Sequence, residues 1–155
     1  MRAINTMKES SLFKLLVATT FFFLLIAVTT QTIAEPPFET TAGGIQFKQL
    51  VEGEGSAAKI GNVVRIHLVG WIDEQGQKGK ELYNSRREQG PIAFVLGSDK
   101  VMPAWNEGVL GMKSGGRRLL MVPPRFAYGA RGVEGAVPPD TSLILLIDLM
   151  SIEDE

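Results

Sequence analysis

The sequence predicts an α+β fold in which a mainly antiparallel sheet packs over one short helix. Residues 63–71, VVRIHLVGW, alternate between apolar and polar side chains, which is typical of a half-buried antiparallel strand. Residues 101–112, VMPAWNEGVLGM, place Trp105 and Val109 at helical spacing, and Pro103 suits a first helical turn. Strand patterns outnumber this one helical pattern after residue 44, and that combination indicates the α+β class.

Several other segments have strand character. They are residues 45–51, 81–85, 91–96, 117–122 and 142–152. Residues 73–80, DEQGQKGK, are polar and contain two glycines, so we expect them to form a turn. The last strand opens with five consecutive apolar residues, 143–147, so we expect both of its faces to be covered.

The first 34 residues have the organisation of a secretory signal peptide. Basic residues precede an uncharged apolar run at 15–30, and small residues follow it. We expect cleavage after Ala34, a flexible lead-in over residues 35–44, and a domain over residues 45–155. A retained membrane anchor is the alternative, although the run is shorter than the roughly 20 apolar residues of a spanning helix.

Composition excludes several classes of function. The chain has no cysteine, which excludes disulfides, thiol catalysis and an N-terminal lipid on cysteine. Residues 1–34 hold three of the 16 basic and one of the 17 acidic residues, so the remainder carries a net charge of −3. That charge favours neither a nucleic acid nor an anionic membrane as partner. The sequence ends in SIEDE rather than in an endoplasmic-reticulum retrieval signal, so we expect a bacterial periplasm.

The usual catalytic constellations are weakly represented. His67 is the single histidine, and a triad with Ser85 and Asp140 is conceivable, but no nucleophile-elbow sequence surrounds the serine. We therefore interpret His67 as a strand residue with a local hydrogen bond. Residues 111–118, GMKSGGRR, lack the spacing of a phosphate-binding loop. No metal or cofactor site is predicted.

Five segments in order resemble the FKBP family of peptidyl-prolyl cis–trans isomerases, over about residues 44–152. They are VVRIHLVGW, LYNSRREQGPIAFVLG, VMPAWNEGVLGMKSGGRR, VPPRFAYGARG and VPPDTSLILLIDL. The resemblance implies a curved antiparallel sheet of five or six strands wrapped around one short helix, with an apolar pocket between them. It also implies isomerisation of X-Pro bonds, proline-containing polypeptides as substrates and macrolides as inhibitors.

The resemblance also implies the site residues. Trp105 matches the pocket floor and Tyr128 the hydroxyl that hydrogen-bonds a ligand, while Tyr83 and Phe94 match aromatic walls. The implied catalytic set is Trp105, Tyr128, Asn84 and Tyr83. The implied substrate-binding set is Leu68, Ile92, Phe94, Val101, Met102, Val133, Ala136, Val137 and Leu145.

Some positions depart from the family pattern. Asn84 stands where an aspartate is usual, and Gln89 aligns with its usual arginine partner. Leu68, Ile92 and Leu145 replace aromatic residues, so we expect a roomier, less aromatic pocket. The alternative function is therefore a weakly active or non-catalytic binding module or chaperone. Without a long helical segment or an inserted domain, we expect a monomer.

The segment RFAYGARGVEGAVPPD, residues 125–140, is predicted to form a wall of the pocket. Val133, Ala136 and Val137 offer an apolar rim, and we expect the neighbouring glycines to act as a hinge for a lid. As an isomerase of this kind, the protein is expected to assist the folding of exported proteins.

Overall fold

The computed structural model describes residues 36–154, which contain nine strands, one α-helix and one 3₁₀ turn. The strands and helix, in chain order, are β1 (Glu39–Thr40), β2 (Gln46–Val51), β3 (Glu54–Ala57), β4 (Val63–Glu74), β5 (Gln77–Asn84), β6 (Ile92–Val95), α1 (Pro103–Val109), β7 (Lys113–Ser114), β8 (Arg117–Val122) and β9 (Leu143–Glu153). The 3₁₀ turn, Pro124–Phe126, follows β8. The predicted signal peptide lies outside the described residues.

Seven strands form one antiparallel sheet, in the order β1-β2-β8-β9-β4-β5, with β6 also paired to β4. Because β5 and β6 occupy the two halves of the same edge of β4, the sheet is six strand positions wide. β4 and β9 pair along almost their whole length, from Val63 opposite Glu153 to Ile72 opposite Leu143. This sheet and the one short helix of residues 36–154 confirm the predicted α+β class; β3 and β7 form a small separate ladder.

The hydrophobic core lies between the sheet and α1. Val64, Ile66 and Leu68 of β4 are buried on one face, as the alternation predicts. The start of β9 is covered on both faces, since Ile144 and Leu145 are each 2% exposed. Gly108 permits the close approach of the helix, because a Cβ there would lie 2.4 Å from Cδ1 of Leu120.

The turn between β4 and β5 is much shorter than predicted. Only Gln75 and Gly76 lie between the two strands, with φ values of 58° and 85°. Positive φ at both positions is typical of a tight type I′ hairpin, in which the flanking polar residues belong to the strands. The predicted turn over residues 73–80 is therefore wrong in extent, because their polarity reflects exposed strand faces.

The predicted lead-in also contains ordered structure. β1 pairs with the start of β2, and Thr41 exchanges hydrogen bonds with Ile45 through its backbone and its hydroxyl. The Gly43 N–H donates to Oε2 of Glu107 on α1 at 3.1 Å. The second half of residues 35–44 is thus a hairpin attached to the helix and not a free linker. Within residues 36–154, no helix has the length and apolar character needed to cross a bilayer.

Candidate active site

A cavity of about 440 Å³ lies between the inner face of the sheet, α1 and the segment after the 3₁₀ turn. We call it the site cavity. Its walls are mainly aliphatic and aromatic, and none of its lining side chains is an acid, a base or a histidine. The lining residues are Leu68, Gly70, Leu82, Tyr83, Gln89, Ile92, Met102, Trp105, Tyr128, Val133, Ala136, Val137, Leu143 and Leu145. Most of the residues predicted for the site therefore meet at one place.

Trp105 enters the site cavity from the first turn of α1. The helix begins at Pro103, whose missing N–H and fixed φ suit a first helical position. The indole ring packs against Phe94, with the centroids 5.9 Å apart and the planes tilted by 52°. The indole Nε1 is buried and has no hydrogen-bond partner among residues 36–154. Trp105 therefore contributes apolar ring surface rather than an exposed N–H donor.

Two tyrosines bring hydroxyl groups to the site cavity from different elements. Tyr83 lies near the end of β5, and Tyr128 follows the 3₁₀ turn and is 40% exposed. Within the described part of the chain, neither hydroxyl has a hydrogen-bond partner. Both are therefore available to donate to a bound carbonyl.

The rim of the site cavity is a short hairpin closed by its own backbone. Val133 and Val137 exchange two N–H···O bonds of 2.8 Å each, and the Asp140 N–H donates to the Gly129 oxygen at 3.0 Å. At Gly132, φ is +61° and a Cβ would lie 2.3 Å from the Val137 oxygen. This glycine is required for close backbone packing, which differs from the predicted role as a lid hinge.

Three predicted site residues lie outside the lining of the site cavity. Phe94 is 8% exposed and supports Trp105 from behind, while Val101 packs half-buried against the core. Asn84 ends β5, and its Oδ1 accepts the Arg86 N–H at 3.2 Å. The amide that was expected to act on substrate thus caps a turn.

Asn84 and Gln89, which align with the family's usual aspartate and arginine partners, do not bond to each other. The Asn84 backbone closes the turn after β5, where its oxygen accepts the N–H groups of Arg87 and Glu88. Gln89 reaches the lining instead, so the polar contribution of this segment comes from Gln89 alone. A turn's internal bonding cannot be deduced from an aligned residue pair.

Sequence reasoning missed several lining residues. Leu143 precedes Leu145 by two positions in β9, so the period of two could have placed both on one face. Leu82 lines the site cavity beside Tyr83 because the register of β4 and β5 shifts near Trp71. Gly70 makes room, since a Cβ there would meet Cδ2 of Leu145 at 3.2 Å.

His67 belongs to a structural network on β4. Its Nδ1 lies 3.0 Å from Oγ of Ser85, and that oxygen accepts the Leu68 N–H at 2.9 Å. Ser85 is fully buried, and Asp140 is not part of this network. The predicted local hydrogen bond is confirmed, and these contacts do not support a hydrolytic triad. Within residues 36–154, no three acidic or histidine side chains are grouped as metal ligands.

A cluster of three charged side chains lies on the outer face of the sheet. Arg117 and Arg86 both donate to the Asp148 carboxylate, Arg86 at 2.7 Å. Burial acts to raise the pKa of Asp148, but these hydrogen bonds and charges outweigh it and hold the pKa below its ordinary value. Arg118, the next residue after Arg117, is buried, so the two arginines face opposite sides of the sheet.

Comparison with known proteins decides the family. The model of the FKBP-type peptidyl-prolyl cis–trans isomerases matches residues 54–150, more than half of the chain. The chain belongs to this isomerase family. It is 34% identical over 110 residues to an FK506-binding protein of Neisseria meningitidis serogroup B, covering 71% of this chain and 97% of that protein.

Solved structures agree with this assignment. A peptidyl-prolyl cis–trans isomerase from Pseudomonas syringae matches with a TM-score of 0.66 and 28% identity, covering 78% of this chain and 84% of that one. FkpA from Escherichia coli matches with a TM-score of 0.65 and 27% identity over 97% of this chain. The chain spans 64% of the length of FkpA. The fold and the family match therefore lead to the same assignment, a peptidyl-prolyl cis–trans isomerase.

Proposed function

We propose that this isomerase acts on X-Pro bonds of exported polypeptides, with the proline seated over Trp105 in the site cavity. The observation that carries the proposal is an apolar cavity whose polar side chains are all neutral, the tyrosine hydroxyls among them. Such a cavity suits a reaction that needs no nucleophile and no change of bonding.

The apolar walls account for a lower barrier to rotation about the X-Pro bond. Rotation about an amide bond meets a barrier of about 18–20 kcal/mol, because the planar form gains resonance. The twisted form has a less polar carbonyl, so a cavity lined by Leu68, Ile92 and Leu145 disfavours it less than it disfavours the planar form. Exclusion of water from the carbonyl therefore lowers the barrier.

The hydroxyls provide the second contribution. Tyr128 lies at the exposed side of the site cavity, where it reaches a bound backbone while the proline ring is buried. A hydrogen bond from its hydroxyl holds the peptide on one side of the X-Pro bond as the other side rotates. The hydroxyl is a positioning donor, so its loss reduces the rate without abolishing it.

A protease-coupled proline-peptide assay tests the proposal, with Trp105→Leu as the test and Trp71→Leu as the matched control. Trp71 lies on β4, outside the lining of the site cavity, with Lys78 4.3 Å from its ring. We expect Trp105→Leu to lower kcat/KM by about tenfold or more and Trp71→Leu to leave it within twofold. Equal effects of both variants, in folded protein, would contradict the proposal.

Binding without turnover is the second candidate function. It is favoured by the aliphatic residues Leu68 and Leu145 and by the position of Asn84, which leaves the site cavity with few polar contacts. The test is whether Trp105→Leu, once it has lost measurable turnover, still suppresses the aggregation of an unfolded protein. Suppression that persists would support binding over isomerisation as the function.

The export of the protein is proposed from residues 1–34, whose basic start and apolar run fit a signal peptide. N-terminal sequencing of the protein from a bacterial periplasmic fraction tests it. We expect the first residue to be Glu35. An intact N-terminus in the membrane fraction would instead show the retained anchor. A monomeric state is proposed as well, because residues 36–154 contain only a seven-residue helix and no long helical segment for pairing two copies, and sedimentation analysis tests it.

We also propose that FK506-type macrolides bind the site cavity, since a relative is named as an FK506-binding protein. The aliphatic walls at Leu68, Ile92 and Leu145 offer less ring surface than aromatic ones, so modest affinity is expected. Ile92→Phe is expected to tighten FK506 binding in a fluorescence titration. No binding to either protein would remove the proposal and leave the isomerase assay unaffected.

A further inference from the structure

The C-terminal end of α1 has little support of its own. The helix has seven residues, no side-chain cap at either end and no basic residue in its last turn. Helices this short are marginal in water, and the last carbonyl groups of a helix need partners from elsewhere. The placement of Trp105, in the first turn, therefore depends on what holds the helix from outside.

Arg118 on β8 supplies that support. Its Nη1 donates to the Gly108 oxygen at 3.0 Å and to the Leu110 oxygen at 3.3 Å. Both carbonyls lie at the end of α1, where the helix dipole favours a positive charge. One guanidinium thus satisfies two acceptors and places a cation at the negative end of the helix.

Arg118 is itself fixed by neutral groups. Its Nε donates to Oε1 of Gln49 at 2.7 Å, and its guanidinium lies 4.2 Å from the ring centroid of Phe47. The residue is 8% exposed. Burial lowers the pKa of Arg118. Because a guanidinium is not deprotonated in proteins, the buried side chain is a cation. A buried cation bonded to carbonyls and an amide is costly to retain without a structural role.

The face of β8 that carries Arg118 also packs against α1 at Gly108. Leu120, two positions after Arg118, lies where a Cβ on Gly108 would meet its Cδ1 at 2.4 Å. Gly108 is three residues after Trp105, which is close to one helical turn. Strand β8 therefore fixes α1 from one side by packing and from its end by hydrogen bonds.

We propose that Arg118 is a positioning residue for the isomerase reaction, which sets the depth of Trp105 at the floor of the site cavity. It acts through α1 and does not line the cavity. Loss of its two hydrogen bonds to the helix end lets that end shift along β8, and the indole ring moves with it.

The test uses a Trp71→Phe background, in which Trp105 is the only tryptophan. Arg118→Met keeps the aliphatic stem and removes the donors, Arg118→Lys keeps the charge, and Arg117→Met is the matched control on the opposite face. Circular dichroism, the emission maximum and acrylamide quenching of Trp105, and kcat/KM are measured well below the unfolding temperature.

We expect Arg118→Met to lower kcat/KM by about fivefold or more and to shift the Trp105 emission, with Arg118→Lys intermediate and Arg117→Met within twofold. Arg118→Met with native circular dichroism, unchanged Trp105 emission and kcat/KM within twofold would overturn the proposal. If Arg118→Met does not fold, Arg118→Lys decides: an emission shift with reduced kcat/KM supports the proposal, and unchanged values of both refute it.

Discussion

Phe94 stands behind Trp105, with the ring centroids 5.9 Å apart, and so supports the floor of the site cavity without lining it. The two rings come from β6 and α1, so this contact joins the edge of the sheet to the helix. Tilted aromatic pairs of this kind gain about 0.5–1.5 kcal/mol beyond their buried area.

Phe94→Leu is expected to impair catalysis although residue 94 does not touch the substrate. The smaller side chain leaves space behind Trp105, so stability falls by about 1–3 kcal/mol and kcat/KM falls severalfold. Thermal unfolding and the proline-peptide assay measure the two effects. Phe38→Leu is the control, since Phe38 is 47% exposed. Wild-type kcat/KM in Phe94→Leu would show that the floor does not depend on this contact.

Tyr128→Phe is expected to reduce kcat/KM by about two- to tenfold, which corresponds to the ~0.5–1.5 kcal/mol of one neutral hydrogen bond. Since the hydroxyl has no partner among the described residues, its removal leaves no protein group unsatisfied. Stability should therefore remain near the wild-type value in chemical denaturation. Tyr83→Phe serves as the comparison, and wild-type kcat/KM in both variants would exclude a role for either hydroxyl.

Gly132→Ala is expected to be more destabilising than Gly135→Ala. Both residues have positive φ, but a Cβ at Gly132 would lie 2.3 Å from the Val137 oxygen, whereas a Cβ at Gly135 meets nothing within 4 Å. Positive φ alone costs about 1 kcal/mol, and the clash adds to it. Urea denaturation of the two variants gives the difference. Equal stabilities would mean that the rim hairpin accommodates the added methyl group at residue 132 without further loss of stability.

The pH dependence of stability should include a contribution from Asp148. Its folded-state pKa is lowered, so its ion pairs stabilise the protein fully above the unfolded pKa of about 3.9, and the contribution is lost as pH falls through the folded-state value. At pH 7 the free energy of unfolding of Asp148→Asn is expected to be about 1–3 kcal/mol below that of the wild type, and the difference should shrink at low pH. The exposed pair of Arg65 and Glu153 provides the control variant, Glu153→Gln, with a small effect.

The strands and the helix were largely predictable because their signals are local. Burial alternates along residues 63–71 as the side chains do, and β8 has the predicted bounds of residues 117–122. The site residues came from the family resemblance, and the structure brings Trp105 and Tyr128 to one cavity.

The remaining features depend on specific contacts, some inside one turn or hairpin and some between distant segments, that the sequence pattern does not show. The orientation of Asn84 depends on the bonding of the turn that follows β5, and the roles of Gly132 and Phe94 depend on the Val137 carbonyl and the Trp105 ring. The partners of Arg118 come from β2 and α1, which neither periodicity nor composition can identify. Hydrogen bonds that join elements far apart in sequence become visible only in the folded chain.

Exchange spectroscopy by NMR tests the central claim most directly, because it observes a proline peptide at equilibrium and needs no coupled protease. With catalytic amounts of the protein, we predict cis–trans exchange cross-peaks that are far weaker with Trp105→Leu and unchanged with Trp71→Leu. A peptide that binds the site cavity but exchanges at the uncatalysed rate would contradict catalysis and leave a binding module.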